Sequence, residues 1–228
     1  MRQIKVKNIN EIIEITGEDA KHLIYSLRSR TGERLTVIDE SNQRALVELI
    51  EFNKEKVTAK FIEKLPQQQS ELITLAVSIP KNNFDTIIRQ ATEIGVAAIQ
   101  PLITERTILK PSAAKCERWQ RIAKEAAQQS GAIEPTIMQI KNFTDWLKEK
   151  SDEQLIVCSE AENKKNITDI KITNKTTIVI GCEGGFTSEE FKQLNEAGAI
   201  SVSLGSNILR VDTAAITALA IIKHLSIL

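Results

Sequence analysis

The first 65 residues contain short runs rich in valine, isoleucine and threonine, separated by polar positions. These runs predict strands over 33–40, 44–52 and 56–64. Apolar residues also recur every three or four positions between 18 and 28, which predicts a helix. We therefore expect this part of the chain to form a small barrel of strands with one helix packed against it.

Beyond residue 71 the pattern changes to strands that alternate with helices. Nearly continuous apolar runs predict strands over 71–79, 96–102, 154–160, 176–181 and 199–205. Apolar stripes at helical spacing predict helices over 84–94, 117–130 and 187–197, the last opened by a Thr187–Glu190 capping box. Repeated strand–helix units indicate a mainly parallel sheet covered by helices.

A polar stretch, LPQQQSE at 65–71, separates the two patterns. It contains a proline and no charge before its last residue, as is typical of a linker. The sequence therefore predicts two domains, 1–68 and 71–228.

The predicted last helix, about 210–225, is apolar on nearly every side. Ile216 and Leu219 lie off the stripe that its other apolar residues form. A helix of this kind is buried on more than one side. We expect it to lie inside the fold, against a partner subunit, or both.

The amino-acid composition is that of an ordinary globular protein and does not indicate a particular function. The 228 residues are 42% hydrophobic and 26% charged, with 30 basic and 30 acidic side chains, so net charge neither suggests nor excludes a nucleic-acid partner. Three scattered cysteines fit a reducing compartment better than a disulfide framework or a zinc site. No run is long enough to span a membrane and the N-terminus lacks a signal-peptide core, so we expect a cytoplasmic protein without a metal.

Two glycine-bearing segments follow predicted strands: IGCEGGFTSEE at 180–190 and LGSNILR at 204–210. Ligands bind at the carboxyl ends of strands in open α/β sheets. The first segment carries Glu183 and no lysine, which disfavours phosphate and favours a neutral or cationic ligand. Exposed main chain in these loops suits an adenine edge, and the second loop offers an apolar bed for the ring. Spacing alone leaves open that the glycines only permit tight turns.

Five ordered motifs resemble the signatures of the RsmE family, a branch of the SPOUT methyltransferases. They are HLIYSLR (22–28), ATEIGVAAIQPLITERT (91–107), ERWQRIAKEAAQQSG (117–131), IGCEGGFTSEE and LGSNILRVDTAA (204–215). The motifs cover nearly the whole chain.

This resemblance implies a C-terminal SPOUT-type α/β domain with a deep trefoil knot and a small N-terminal PUA-like β-barrel that helps to hold RNA. It implies a homodimer that binds S-adenosyl-L-methionine in the knot loops. The implied reaction is methylation of uracil N3 in the decoding region of 16S rRNA, at position 1498. The implied partner is the small ribosomal subunit or its RNA.

The resemblance also implies roles for individual residues. The implied cofactor-binding residues are Gly181, Glu183, Gly184, Leu204, Gly205, Ile208 and Leu209. We expect Arg210 to act in catalysis, because loss of the N3 proton spreads negative charge onto the uracil oxygens that a guanidinium can stabilise. Glu183 is expected to be the base or an orienting acceptor. Expected RNA contacts are Arg28, Arg30, Arg106 and Arg121, and the alternative for Arg210 is a structural pair with Asp212.

Three positions depart from the family pattern. Cys182 replaces a proline, Asp212 replaces a glutamate, and Ala132 stands where the family usually has an arginine. Two other functions therefore stay open. One is methylation of another RNA atom, such as a ribose 2′-hydroxyl, and the other is RNA binding without catalysis.

Overall fold

The computed structural model describes residues 3–41, 43–66, 72–109, 111–150, 152–162, 164–173 and 175–226. The chain forms two compact units, residues 1–69 with 127–133, and residues 70–126 with 134–228. Most of the predicted linker, from residue 67 to residue 71, lies outside the described residues. The short segment 127–133, at the end of a helix, clusters with the N-terminal unit, which the sequence pattern does not predict.

The first unit is a five-stranded sheet around its own apolar core. Its strands are β1 (Gln3–Lys5), β2 (Ile12–Thr16), β3 (Arg34–Ile38), β4 (Arg44–Phe52) and β5 (Lys56–Leu65), in the order β1-β3-β4-β5-β2. All neighbours are antiparallel except β1 and β3. The three predicted strands are present, and β1 and β2 are additional.

The helix predicted over 18–28 is shorter and less regular. An α-helix, α1 (Gly17–Lys21), continues into a π-helical turn over His22–Ser26. Arg28 then has a φ of 51°, in the left-handed region that ends a helix. Ala20 and Leu23 are buried in the core of this unit, which confirms the predicted apolar face. The helical segment nevertheless ends before residue 28, where the prediction placed its end.

The second unit contains a seven-stranded, wholly parallel sheet. Its strands are β6 (Leu72–Ser78), β7 (Ala98–Ile103), β8 (Thr136–Ile137), β9 (Lys141–Asn142), β10 (Gln154–Cys158), β11 (Lys175–Ile180) and β12 (Ile200–Val202). Six of them follow the order β12-β10-β11-β6-β7-β8. Strand β8 pairs with the start of β7, and β9 pairs with the end of β7. This confirms the parallel sheet that the alternating pattern predicts.

Helices cover both faces of this sheet. They are α2 (Phe84–Ile94), α3 (Ala113–Ser130), α4 (Phe143–Lys148), α5 (Ser188–Glu196) and α6 (Val211–Leu225), with a 3₁₀ turn at Ile167–Asp169. One apolar core joins α2, the first part of α3 and α6 to the sheet, and another joins α4 and α5 to its other side. The predicted capping box at the start of α5 is present, with Thr187 and Glu190 bonded to each other's main chain.

Helix α6 is buried on more than one side, as its apolar surface predicts. Its buried residues are Val211, Ala215, Ala218, Leu219 and Ile222. Leu219, which lies off the main apolar stripe, is fully buried. Contacts with α2, β6, β11 and the 3₁₀ turn account for this burial within the unit. Contact with a partner subunit and the knot both stay predictions.

Candidate active site

A cavity of about 690 Å³ lies at the carboxyl ends of the parallel strands. Five connecting segments line it, and they follow β6, β7, β10, β11 and β12. We refer to residues 181–187 as the first glycine loop and to residues 203–210 as the second glycine loop. Since several parallel strands end at the same edge of the sheet, segments far apart in sequence meet at one site.

All seven residues predicted to bind a cofactor line this cavity, together with Arg210 and Arg106. The seven are Gly181, Glu183, Gly184, Leu204, Gly205, Ile208 and Leu209. Ile208 is 80% exposed, so the second glycine loop presents apolar surface that the protein itself leaves uncovered. The structure thus brings the two predicted loops to one place.

The first glycine loop folds tightly on itself. A Cβ atom on Gly181 would lie 3.1 Å from the Cα of Gly185, which is closer than nearly all real contacts of this kind. Gly185 has a φ of 66° and donates its N–H to the carbonyl of Cys182 at 2.8 Å. The left-handed backbone at position 185 favours glycine, and a larger residue at position 181 would have to move the loop by a few tenths of an ångström. The same turn exposes main chain to the cavity, so the turn and ligand-binding interpretations are compatible.

Cys182, the substitute for the family's proline, fits this turn. Its side chain is buried, and its Sγ lies 3.8 Å from the carbonyl oxygen of Gly185 and 4.0 Å from Oγ1 of Thr104. A thiol is a weak donor, so these contacts fill space more than they restrain the loop. The departure from the family pattern leaves the turn intact.

Arg106, predicted to contact RNA, lies against the first glycine loop. Its Nη1 donates to the carbonyl oxygen of Gly184 and lies 3.4 Å from that of Phe186. Glu190 supports the same region, because its buried carboxylate accepts the N–H of Glu105 and of Thr187, each at 2.9 Å. Within the described contacts, the guanidinium of Arg106 therefore braces the loop.

The loop after β6, residues 80–83, contacts the first glycine loop and the first turn of α6. The N–H of Lys81 donates to Oε1 of Glu183 at 2.9 Å, and Nδ2 of Asn83 donates to Oδ2 of Asp212 at 2.9 Å. The sequence pattern does not predict either contact. The shorter Asp212 side chain still finds a partner, and that partner comes from a distant loop.

Arg210 occupies the N-cap position of α6 with its side chain 77% exposed. Its Nε lies 3.8 Å from Oδ1 of Asp212, the structural pair that the sequence left open. An exposed ion pair at this distance stabilises a protein by about 0–1 kcal/mol. The pair therefore adds little to stability, and the exposed guanidinium can donate to a ligand in the cavity.

The other predicted RNA contacts lie elsewhere. Arg28 and Arg30 are exposed in the first unit, and Arg121 is exposed on α3 in the second. None of the three lines the cavity. Ala132 is buried, so its position offers no exposed side chain in place of the family's arginine. The roles of these arginines in RNA binding stay predictions.

Several lining residues were not predicted. They include Asn82, Asn83, Ser159, Glu160, Ala161 and Asn207. Residues 159–161 follow β10 and stand at the end of the strand predicted over 154–160, so strand ends could have indicated them. No local signal marks Asn83, since its role depends on a residue 129 positions away.

Two further properties concern metals and membranes. Across the described ranges, no group of three or more histidine, cysteine or acidic side chains is arranged to hold a metal ion. No helix in the described part of the chain is both long and apolar enough to cross a bilayer.

Comparison with known proteins places this chain in a family. Residues 67–223 match an RNA methyltransferase domain, and residues 15–62 match an RNA methyltransferase PUA domain. The ribosomal RNA small subunit methyltransferase E of Bacillus subtilis is 31% identical over 92% of this chain and 89% of that protein. The protein of the same name from a Synechocystis species is 34% identical over 95% of this chain and 74% of its own length. This chain belongs to the RsmE family.

A solved RsmE structure shows the same architecture. The enzyme from Neisseria gonorrhoeae, bound to S-adenosyl methionine, is 29% identical and superimposes with a TM-score of 0.89. The match covers 99% of this chain and 98% of that chain. Together with the two domain matches, it confirms the predicted fold class, a SPOUT-type α/β domain with an N-terminal PUA-like domain.

Proposed function

We propose that this protein uses S-adenosyl-L-methionine to methylate N3 of a uridine in 16S rRNA, at position 1498. One observation carries the proposal: in a chain of the RsmE family, both glycine loops and Arg210 line a single cavity. The coarser conclusion, that the protein is an rRNA methyltransferase, follows from family membership.

The residues of the cavity fit this cofactor. A volume of about 690 Å³ lies within the range of small-molecule sites. The second glycine loop supplies an apolar surface for an adenine ring through Leu204, Ile208 and Leu209. Glu183 supplies negative charge near a ligand that carries a cationic sulfonium. When bound, the cofactor supplies an electrophilic methyl group.

Arg210 and Glu183 are the groups of this chain that we assign to the chemistry. As the uracil N3 loses its proton, negative charge develops on O2 and O4, and the exposed guanidinium of Arg210 can donate to those oxygens. One oxygen of Glu183 already accepts the N–H of Lys81. Its second oxygen accepts no hydrogen bond from the described residues, so it can serve as the base or orient the substrate.

RNA binding and assembly complete the proposal. The PUA-like domain is proposed to span residues 1–68 and to bind RNA with Arg28 and Arg30. The methyltransferase domain is proposed to span residues 71–228 and to contact RNA with Arg121. Arg106 shapes the first glycine loop of this second domain, in addition to any direct contact with RNA. We also propose a homodimer, a knotted methyltransferase domain and a cytoplasmic location.

The test uses labelled S-adenosylmethionine with small ribosomal subunits that lack their normal methyl groups, and naked rRNA in parallel. Reverse transcription follows, because an N3 methyl blocks the Watson–Crick edge and stops the polymerase. The expected result is label in the 16S rRNA with one new stop at a single uridine. Label without a stop would assign the methyl group to another atom, such as a ribose 2′-hydroxyl. Cofactor binding without label would favour the non-catalytic alternative.

Gly184→Val should weaken the binding of S-adenosylmethionine at least about 10-fold, without a large loss of stability. A Cβ atom at this position would lie 3.1 Å from Cδ of Arg106, so the larger side chain must displace the arginine from the loop carbonyls. Because Arg106 is a flexible side chain, the fold can adapt while the cavity wall deforms. Calorimetric titration gives the affinity and thermal unfolding gives the stability.

The companion variant Gly184→Val/Arg106→Ala separates two causes. If the clash with Arg106 deforms the cavity, removing the arginine side chain should restore part of the affinity. An affinity of Gly184→Val equal to that of the wild-type protein would contradict the assignment of the first glycine loop to the cofactor.

A further inference from the structure

Asn83 is an N-cap residue that does not cap its helix. It directly precedes α2, where an asparagine side chain normally accepts an N–H of the first turn. Here its side chain makes no capping hydrogen bond, and its backbone has a φ of 67°, which is uncommon outside glycine. The Asn83 side chain is therefore available to hydrogen-bond a partner outside its own helix.

That partner is Asp212, 129 residues away in the sequence. Nδ2 of Asn83 lies 2.9 Å from Oδ2 of Asp212. Because a carboxylate only accepts hydrogen bonds, the amide group must present its NH₂ side to it. Asn83 thus fixes one oxygen of Asp212 by a direct hydrogen bond from the loop after β6.

The other oxygen of Asp212 faces Arg210. Oδ1 accepts the N–H of Thr213 at 3.1 Å and lies 3.8 Å from Nε of Arg210. Asp212 is only 23% exposed, whereas Arg210 is 77% exposed and would otherwise sample many rotamers. A fixed carboxylate beside a mobile guanidinium biases which of those rotamers is populated.

We propose that Asn83 is a positioning residue, which orients Arg210 toward the substrate by holding Asp212. The inference rests on the proposed role of Arg210 in methyl transfer. Asn83 itself need not touch the substrate. Its conformation and its neutral amide suit the task, because a carboxylate in its place would repel Asp212 and an aliphatic side chain would leave that oxygen without its donor.

Asn83→Gly is the informative variant, since glycine adopts a φ of 67° without strain and only the amide is lost. We expect kcat for rRNA methylation to fall about 10-fold, because a displaced catalytic group reduces rate steeply. The dissociation constant for S-adenosylmethionine should stay within about twofold of wild type. Asn142→Ala is the matched control, because Asn142 is also an N-cap residue without a capping bond and does not line the cavity.

The same substitution in an Arg210→Ala background shows whether Asn83 acts through the arginine. In single-turnover reactions we expect Asn83→Gly to cause no further loss there, because residues that act through one group are not additive. An equal loss in both backgrounds would overturn the proposal.

A second measurement needs no RNA and no turnover. The ¹⁵N–¹H resonance of Arg210 Nε, assigned by its absence from Arg210→Lys, should show a heteronuclear NOE above that of exposed Arg89 in the wild-type protein. In Asn83→Gly it should fall to the value of Arg89, and an unchanged NOE would overturn the proposal. If the wild-type protein methylates no RNA, the proposed function fails, and this measurement still decides whether Asn83 positions Arg210.

Discussion

Replacing Arg210 by alanine should lower kcat for rRNA methylation about 100- to 1000-fold, the usual effect of removing one donor that stabilises a developing oxyanion. The affinity for S-adenosylmethionine should change little, because the guanidinium is exposed and only loosely paired with Asp212. Single-turnover transfer of labelled methyl to the small subunit gives the rate, and calorimetry gives the affinity. The free energy of unfolding should change by less than about 1 kcal/mol, since the pair is a surface one.

Arg89→Ala serves as the control for this prediction. Arg89 is an exposed arginine on α2 and does not line the cavity. Its loss removes the same charge from the protein without touching the site. A kcat for Arg210→Ala within about threefold of that control would exclude Arg210 from the chemistry and leave the ion pair with Asp212 as its role.

The second large effect concerns stability. Glu153→Ala should lower the free energy of unfolding by about 3–5 kcal/mol, the range for breaking a buried ion pair from one side. Nζ of Lys150 lies 2.6 Å from Oε1 of Glu153, and the two side chains are only 15% and 6% exposed. Thr177 donates to the other carboxylate oxygen, and the Lys150 ammonium lies 5.2 Å from the centre of the Trp146 ring. Without Glu153, the largely buried Lys150 ammonium keeps no carboxylate partner among the described residues.

Urea denaturation measures this effect, and the exposed pair of Lys192 and Glu196 provides the control. Those side chains are both 64% exposed and 3.8 Å apart, so Glu196→Ala should cost no more than about 0.5 kcal/mol. A loss for Glu153→Ala as small as that of the control would show that the Lys150 ammonium finds water or another acceptor.

The Glu153 carboxylate also makes the free energy of unfolding depend on pH. Burial acts to raise the pKa of Glu153, but hydrogen bonds from Lys150 and Thr177 outweigh it and hold the pKa below its usual range. A carboxylate with a lowered pKa in the folded protein stabilises the fold above its unfolded pKa of about 4.3. That stabilisation is lost as the pH falls through the folded pKa. The free energy of unfolding should therefore fall less steeply below about pH 4.5 in Glu153→Gln than in the wild type.

Regular elements with strong periodicity were predictable from the sequence. Helix α2 occupies the residues that its apolar face predicts, and α5 begins at the predicted capping box. Strand β2 was missed although it alternates between exposed and buried residues, because five residues give a weak signal before a helix. The short strands β8 and β9 have two residues each, too few for any periodic pattern.

The candidate site could be predicted only where short sequence motifs mark it. Glycine spacing and strand ends mark the two glycine loops as candidates, whereas Arg210 was singled out through the resemblance of LGSNILRVDTAA to a family motif. The contacts of Lys81 and Asn83 depend on which strands become neighbours in the sheet, and that information is distributed over the whole domain. Arg106 belongs to a motif that suggests RNA, yet the fold directs its guanidinium to the carbonyls of the first glycine loop.

The loop after β6, residues 80–83, also affects how the domain folds. Its two hydrogen bonds join residues that are 102 and 129 positions apart. We expect contacts so distant in sequence to form late, because long stretches of chain must be brought together before any of their stabilisation is gained. We therefore expect the cavity to form only once the domain has folded. A ligand held there binds the native state alone, so an ample supply of it would protect the chain against unfolding and degradation.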